Sequence, residues 1–330
     1  MYVMYTSSDQ YAPFMGVSML SLLQSNRELE TLEVFVMDNG ISVQNKEKLT
    51  AVAKEYGRKL TFLSMDRLEQ MAKELNWRLF GGSYAAYARL LLDQYLPEYV
   101  DRVLYLDASD TLVVGSLKPL ETMDMGECAF AACVASAMYM QGKSAGGYDH
   151  QLARQKTYYN CGVLLIHREN WRRWRCFDRI AETSRQDPHF DLYDQTLLNQ
   201  ALPEACGMIL PLEYNFTGVV HSRYLEPRKL SLGGFYSQDE IAQASAHPVI
   251  LHWPGGSHRP YVKGGLCREK KRYRHFVRIS PWRDEIRFTR LFDHLSKTEK
   301  SRMRRYYPVL QFYCPRLSAW LYHLATGKNL

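Results

Sequence analysis

The seven cysteines of this 330-residue chain are scattered, and no two of them form a CxxC pair. That pattern gives no zinc ribbon and no disulfide framework, so free thiols in a reducing compartment are expected. No apolar run approaches the roughly 18–20 residues that a membrane span needs. The first residues lack a basic n-region, and Asp9 and Pro13 interrupt the stretch after them, so no signal peptide is expected. GxGxxG is absent, which disfavours a dehydrogenase-type dinucleotide fold, and GxxxxGK[ST] is absent too. These absences point to a cytoplasmic protein, soluble or peripheral on the inner face of a membrane. What is present is a sizeable core: 46% of residues are hydrophobic and 13% aromatic, which excludes global disorder.

The net charge of +7 belongs to the C-terminal end. Residues 297–330 carry +6 and residues 268–278 (REKKRYRHFVR) carry +5, whereas residues 1–267 are mildly acidic at −4. Charge so confined argues against a nucleic-acid surface, and no nucleic-acid recognition motif accompanies it; a local anionic partner is expected instead. Within residues 297–330, Leu317, Trp320, Leu321 and Leu324 fall at i, i+3, i+4 and i+7 beside a cationic run. Such a face suits an interfacial anchor on an anionic membrane; an ordinary helix packed back on the domain is the other reading. The chain therefore divides into an α/β domain at 1–267 and a basic, aromatic helical region at 268–330.

Residues 1–5 (MYVMY), 32–37 (LEVFVM) and 59–64 (KLTFLS) read as short buried strands. Between them, residues 11–24 place apolar side chains at helical spacing, and Ser42 with Asn45 opens a polar helix reaching Tyr56. Strand–helix–strand–helix–strand at this spacing predicts a doubly wound, mainly parallel sheet with helices on both faces. Residues 83–96 read as a helix capped by Ser83 and bearing Arg89, turned inward or snorkelling to the surface. Further strands are expected at 128–135, 158–166 and 248–253, and helices at 170–185 and 191–202. Sheets of this kind take ligands at the carboxyl ends of their strands, so the polar loop 6–10 is a candidate contact.

Residues 102–117 (RVLYLDASDTLVVGSL) organise the rest. Asp107 and Asp110 interrupt two apolar runs, where a buried strand ends. Carboxylates in that position are unfavourable unless a cation or hydrogen bonds compensate them. Either they hold a divalent metal bridging a diphosphate, or Asp110 serves backbone N–H groups as a cap or turn. His252, where a strand meets the loop PGGSHRP, gains interest only from the company of these aspartates.

Seven blocks stand in order between Tyr2 and about Pro260: TSSDQYAPFMGVSMLSLL, DNGIS, YARLLL, VLYLDASDTLVVGSL, YYNCGVLLIHRENWR, LYDQTLLNQAL and HWPG. Together they resemble the family 8 retaining glycosyltransferases, among them bacterial lipopolysaccharide α-galactosyl- and glucosyltransferases. The resemblance implies a GT-A-like, Rossmann-related α/β fold, a UDP-sugar donor, and Mn²⁺ or Mg²⁺. It implies Asp107, Asp110 and His252 as metal ligands, a donor set that suits Mn²⁺ better than Ca²⁺. Thr6, Ser8 and Tyr11 match the loop that holds uracil and ribose, and Arg89 the nucleotide-side arginine. Asn160, Asp194 and Gln195 match residues lining the acceptor and the reacting sugar. Gly255, and Arg259 in place of the usual lysine, match the diphosphate clamp of a closing loop.

Three departures stand out. The metal motif is DxxD rather than DxD, and residues three apart on a strand face opposite sides. Both carboxylates can reach one ion only if the backbone bulges or turns at Ala108-Ser109; otherwise Asp107 ligates alone, or Ser109 assists. Ser8 replaces the usual acid near the uracil. The loop after His252 is one residue longer, so His258 or Arg259 could face the phosphates, and arginine would offer bidentate contacts.

The expected function is retaining, metal-dependent transfer of a hexose from UDP-glucose or UDP-galactose. The acceptor would be a cell-surface glycan, as in lipopolysaccharide or capsule synthesis, or a lipid-linked saccharide. The alternative is a catalytically weak UDP-sugar-binding protein, suggested by Ser8 and DxxD. Retention through a covalent intermediate would use Asp194. Same-face attack would use the Gln195 carbonyl to stabilise the oxocarbenium, and it is favoured because a single carboxylate does not make the glycosidase pair.

Overall fold

Strands alternate with helices from the first residue, as the apolar runs predict. A computed structural model describes residues 1–79, 82–135, 148–186, 193–217, 234–254, 259–263, 269–287 and 289–290. The strands up to His252 are β1 (Tyr2–Ser8), β2 (Glu33–Asn39), β3 (Lys59–Ser64), β4 (Arg102–Leu106), β5 (Thr111–Val113), β6 (Phe130–Ala132), β7 (Val163–His167), β8 (Gly207–Ile209) and β9 (Ile250–His252). Seven of them form one sheet in the order β3-β2-β1-β4-β7-β6-β8. It is mixed and mainly parallel: β7 alone runs antiparallel to its neighbours β4 and β6. Strand order reverses between β1 and β4, the crevice where ligands of doubly wound sheets bind.

Residue contacts divide the chain into two units: Met1–Phe216 with Leu225–His252, and Thr217–Tyr224 with Trp253–Leu330. In the first, the helix Ala12–Ser25 is buried on nearly every side, including Ser18 and Ser21. Those hydroxyls have work that explains their burial. Ser21 Oγ accepts from Val113 N at 2.9 Å, and Ser18 Oγ lies 3.0 Å from Thr111 Oγ1. The helix thus satisfies polar groups of β5, which lies outside the main sheet and pairs antiparallel with β9.

The strands expected at 128–135 and 158–166 shorten to β6 and β7, and three further expectations change. Residues 83–96 form not one α-helix but a 3₁₀ helix Ala85–Leu90 followed by a short α-helix Leu92–Tyr95, and Ser83 Oγ accepts from Ala85 N. Tyr87, Ala88, Arg89 and Leu90 are all buried in this segment. The helix expected at 170–185 breaks at Arg175 (φ 52°) into Arg168–Arg173 and Cys176–Gln186. The strand expected at 248–253 shortens to β9 and joins β5 rather than the main sheet.

In the second unit, Tyr273, Phe276 and Val277 form the buried side of the helix Lys270–Ile279, while Lys271, Arg272, Arg274 and Arg278 are exposed. The Trp253 and Tyr273 rings meet edge to face, with centroids 6.1 Å apart. Residues 297–330 lie outside the described residues. No helix among the described residues is long and apolar enough to cross a membrane.

Candidate functional site

β4 ends at Leu106, the chain turns through residues 108–110, and β5 begins at Thr111. Thr111 Oγ1 closes the turn by donating to the Asp107 carbonyl at 2.7 Å. This turn answers the question raised by DxxD. A continuous strand would send Asp107 and Asp110 to opposite faces, whereas the turn brings them together. Antiparallel pairing of β5 with β9 sets His252 opposite Thr111, next to Asp110. Ligating atoms of Asp107, Asp110 and His252 consequently lie within 4.8 Å of one another.

Asp107 divides its carboxylate between two tasks. Oδ1 accepts from Arg89 Nη2 at 2.7 Å, while Oδ2 faces His252 Nε2 at 3.8 Å. His252 is 1% exposed, and its Nδ1 lies 2.8 Å from Asn215 Oδ1. Its Nε2 has no hydrogen-bond partner among the described residues. A buried ring nitrogen in that condition is unfavourable unless a cation or a hydrogen-bonding group meets it. Two carboxylates and one imidazole nitrogen fit Mn²⁺ or Mg²⁺ completed by further oxygen ligands.

Gly162 leaves the room. A Cβ there would stand 2.3 Å from His252 Cε1 and 2.8 Å from both Asp107 Oδ2 and His252 Nε2. The Gly162 carbonyl accepts from Asp107 N at 2.8 Å, so the residue that leads into β7 fixes the backbone of Asp107 as well.

Arg89 turns inward. Its guanidinium donates to the carbonyls of Ala86 and Cys161, pairs with Asp107 and with Asp194 Oδ2 (3.0 Å), and lies 4.5 Å over the Tyr105 ring. Burial opposes its charge, but Asp107 and Asp194 outweigh that and hold its pKa well above the usual arginine value. Burial pushes the Asp194 carboxyl up to about 6; Arg89 opposes the rise and Asp107 adds to it. Asp194 and Gln195 stand in the first turn of the helix Tyr193–Ala201. Gln195 Oε1 is turned toward the backbone, accepting from Cys161 N at 3.1 Å and from Asn160 Nδ2 at 3.2 Å.

The structure therefore gathers Asp107, Asp110, His252, Arg89, Asn160, Asp194 and Gln195 into one linked cluster. Thr6 and Ser8 end β1, and Tyr11, 39% exposed, precedes the helix Ala12–Ser25. Asp9 accepts from Ser42 N and Asn45 Nδ2, tying this loop to the helix Val43–Glu55. Gly255 and His258 lie outside the described residues; Arg259 belongs to the second unit, where its Nη1 donates to Tyr261 Oη at 2.7 Å. Sequence reasoning missed Gly162 and Asn215. Gly162 carries a signal, as a glycine beside the apolar run VLLI; Asn215, in a short 3₁₀ turn, carries none.

The sequence pattern of Glycosyl transferase family 8 matches residues 2–260. General stress protein A of Bacillus subtilis is 24% identical over 287 residues, which span 86% of this chain and 94% of that one. The lipopolysaccharide 1,3-galactosyltransferase of Salmonella typhimurium is 29% identical, over 81% of this chain and 74% of its own. Among solved structures, the galactosyltransferase LgtC in complex with donor and acceptor sugar analogs superposes with a TM-score of 0.68. That match has 24% identity and covers 86% of this chain and 99% of LgtC. The mixed, mainly parallel sheet is thus of GT-A-like type. By the extent of the family match, the chain belongs to glycosyl transferase family 8 and is a glycosyltransferase.

Proposed function

We propose that this glycosyltransferase moves glucose or galactose from its UDP conjugate, with retention, onto a saccharide of a lipid-linked or cell-surface glycan. The observation that carries the reading is the cluster of Asp107, Asp110 and His252, its Nε2 unpartnered among the described residues, at the carboxyl end of β4. Relatives named lipopolysaccharide 1,2-glucosyltransferase and 1,3-galactosyltransferase support the donor and acceptor classes. A divalent ion on these three residues would supply Lewis-acid stabilisation of the leaving diphosphate. Thr6, Ser8 and Tyr11 hold the uridine and Asn160 orients the sugar, while for Gly255 and Arg259 the diphosphate role rests on the family resemblance alone. Arg89 holds Asp107 and Asp194 in register, and Asp194 and Gln195 line the reacting sugar. Same-face attack suits this site, because Asp194 is already committed to Arg89 rather than free as a nucleophile. An anionic membrane surface engaged by residues 297–330, within the basic 268–330 region, fits a lipid-linked acceptor.

The test is UDP release from UDP-glucose and UDP-galactose with Mn²⁺, Mg²⁺ or a chelator. Chelation, or Asp110→Asn, is expected to lower release by at least about 100-fold. Release indifferent to both would refute the metal assignment.

Asp194 adds a pH dependence. Its carboxyl titrates near 6 in the fold against an ordinary 3.8. Protonation therefore favours the folded state: the group's stabilisation is complete below 3.8 and lost as pH rises through about 6. The ionised form pairs with Arg89, so kcat at saturating metal should fall on the acid side with an apparent pKa near 6. Asp194→Asn should remove that limb; its persistence would assign the titration elsewhere.

A further inference from the structure

Two backbone N–H groups fix the orientation of four side chains in a row. Cys161 N donates to Gln195 Oε1 at 3.1 Å, and Gly162 N donates to Asn160 Oδ1 at 3.0 Å. A backbone N–H can only donate, so both side-chain atoms are oxygens. Asn160 then offers its Nδ2 to Gln195 Oε1 (3.2 Å). Asn215 must offer Nδ2 to Asn160 Oδ1 (2.8 Å), which leaves Asn215 Oδ1 facing His252 Nδ1 at 2.8 Å. That oxygen can only accept, so His252 carries a proton on Nδ1, and the neutral imidazole then has its lone pair at Nε2. His252 and Asn215 are each 1% exposed, whereas Asn160 and Gln195 are half-buried.

The donors all run one way, from His252 through Asn215 and Asn160 to Gln195. We infer that Asn215 is a positioning residue with two tasks: it holds His252 in its metal-ligating tautomer, and it couples the metal centre to the Gln195 amide. A cation at Nε2 strengthens the Nδ1–H donor, and each amide in turn polarises the next. Filling the metal centre thereby stiffens the rotamer of the residue that lines the reacting sugar. The inference rests on the metal reading of the site given above.

The two tasks separate by substitution in the full-length chain. Asn215→Ala removes both, and Mn²⁺ affinity, read by titration calorimetry and by the EPR signal of free Mn²⁺, should fall about 10- to 100-fold. Asn215→Asp keeps an oxygen that accepts from His252 Nδ1 but loses the amide that donates to Asn160 Oδ1. Its Mn²⁺ affinity should match or exceed the wild type, while kcat for UDP release falls at least about tenfold with KM for the UDP-sugar within about threefold. A merely structural role would lower metal affinity and turnover together in both variants. Wild-type Mn²⁺ affinity in Asn215→Ala, or wild-type kcat or weakened Mn²⁺ binding in Asn215→Asp, overturns the inference; should the alanine variant not fold, the aspartate variant decides it alone. A wild-type chain without Mn²⁺ affinity would instead take down the functional reading itself, and the inference with it.

Discussion

Gly162→Ala is expected to abolish metal binding and to reduce metal-dependent turnover by at least about 100-fold, the effect of a displaced ligand. Gly162 is not among the positive-φ glycines, so a β-carbon is excluded there by space and not by backbone conformation. The added methyl would stand 2.3 Å from His252 Cε1, and relief requires His252 or Asp107 to leave the cluster. Neither can swing freely: His252 is pinned through Nδ1 to Asn215, and Asp107 through Oδ1 to Arg89. Overpacking adds about 1–3 kcal/mol of destabilisation. Mn²⁺ titration and a denaturant melt of the same variant separate the two effects. Full Mn²⁺ affinity in a folded Gly162→Ala chain would overturn the prediction, the cluster then either tolerating the methyl or not being the site.

The second large effect concerns Arg89. Arg89→Met removes the guanidinium shared by two carboxylates and leaves Asp107 and Asp194 facing each other unneutralised. Breaking a buried ion pair from one side typically destabilises by about 3–5 kcal/mol. Desolvation and Asp107 already raise the Asp194 carboxyl, and loss of the opposing Arg89 must raise it further. The acid limb of the pH profile is therefore expected to move to higher pH as stability falls, readable by urea denaturation and kcat against pH. Arg89→Lys should recover only part of both, because a single ammonium cannot reach Asp107, Asp194 and the Cys161 carbonyl at once. A methionine variant as stable as the wild type, with an unmoved acid limb, would mean that Arg89 does not govern these carboxylates.

Much of the fold was legible in the chain itself. Short apolar runs marked β1, β2, β3 and β4, and Ser42 with Asn45 marked a helix start that the Ser42 hydroxyl indeed caps. Elements failed to match where the chain tightened into a 3₁₀ helix or where one residue redirected it. The run Tyr87–Leu90 has no polar face to give it a period, and Arg175 shows no glycine or proline to announce a break. Pairing of β5 with β9 was hidden for a different reason: register between distant segments is written in the packing of both, not in either one.

By itself the sequence determined the layered α/β class, the acidic front and basic end, and the residue types gathered for chemistry: two aspartates at a strand end, an arginine in a buried segment and a histidine after a late strand. These arise from local periodicity, charge and spacing, which a linear chain carries openly. Only the tertiary structure decided whether those residues meet. The turn at Ala108-Ser109 sets Asp107 beside Asp110, β5–β9 register brings His252 to them, and Gly162 leaves space for all three. A row of amides running back to backbone N–H groups then orients the imidazole. Convergence of this kind depends on hydrogen-bond direction and on ligating atoms within 4.8 Å of one another in residues far apart in sequence, and no local pattern encodes either.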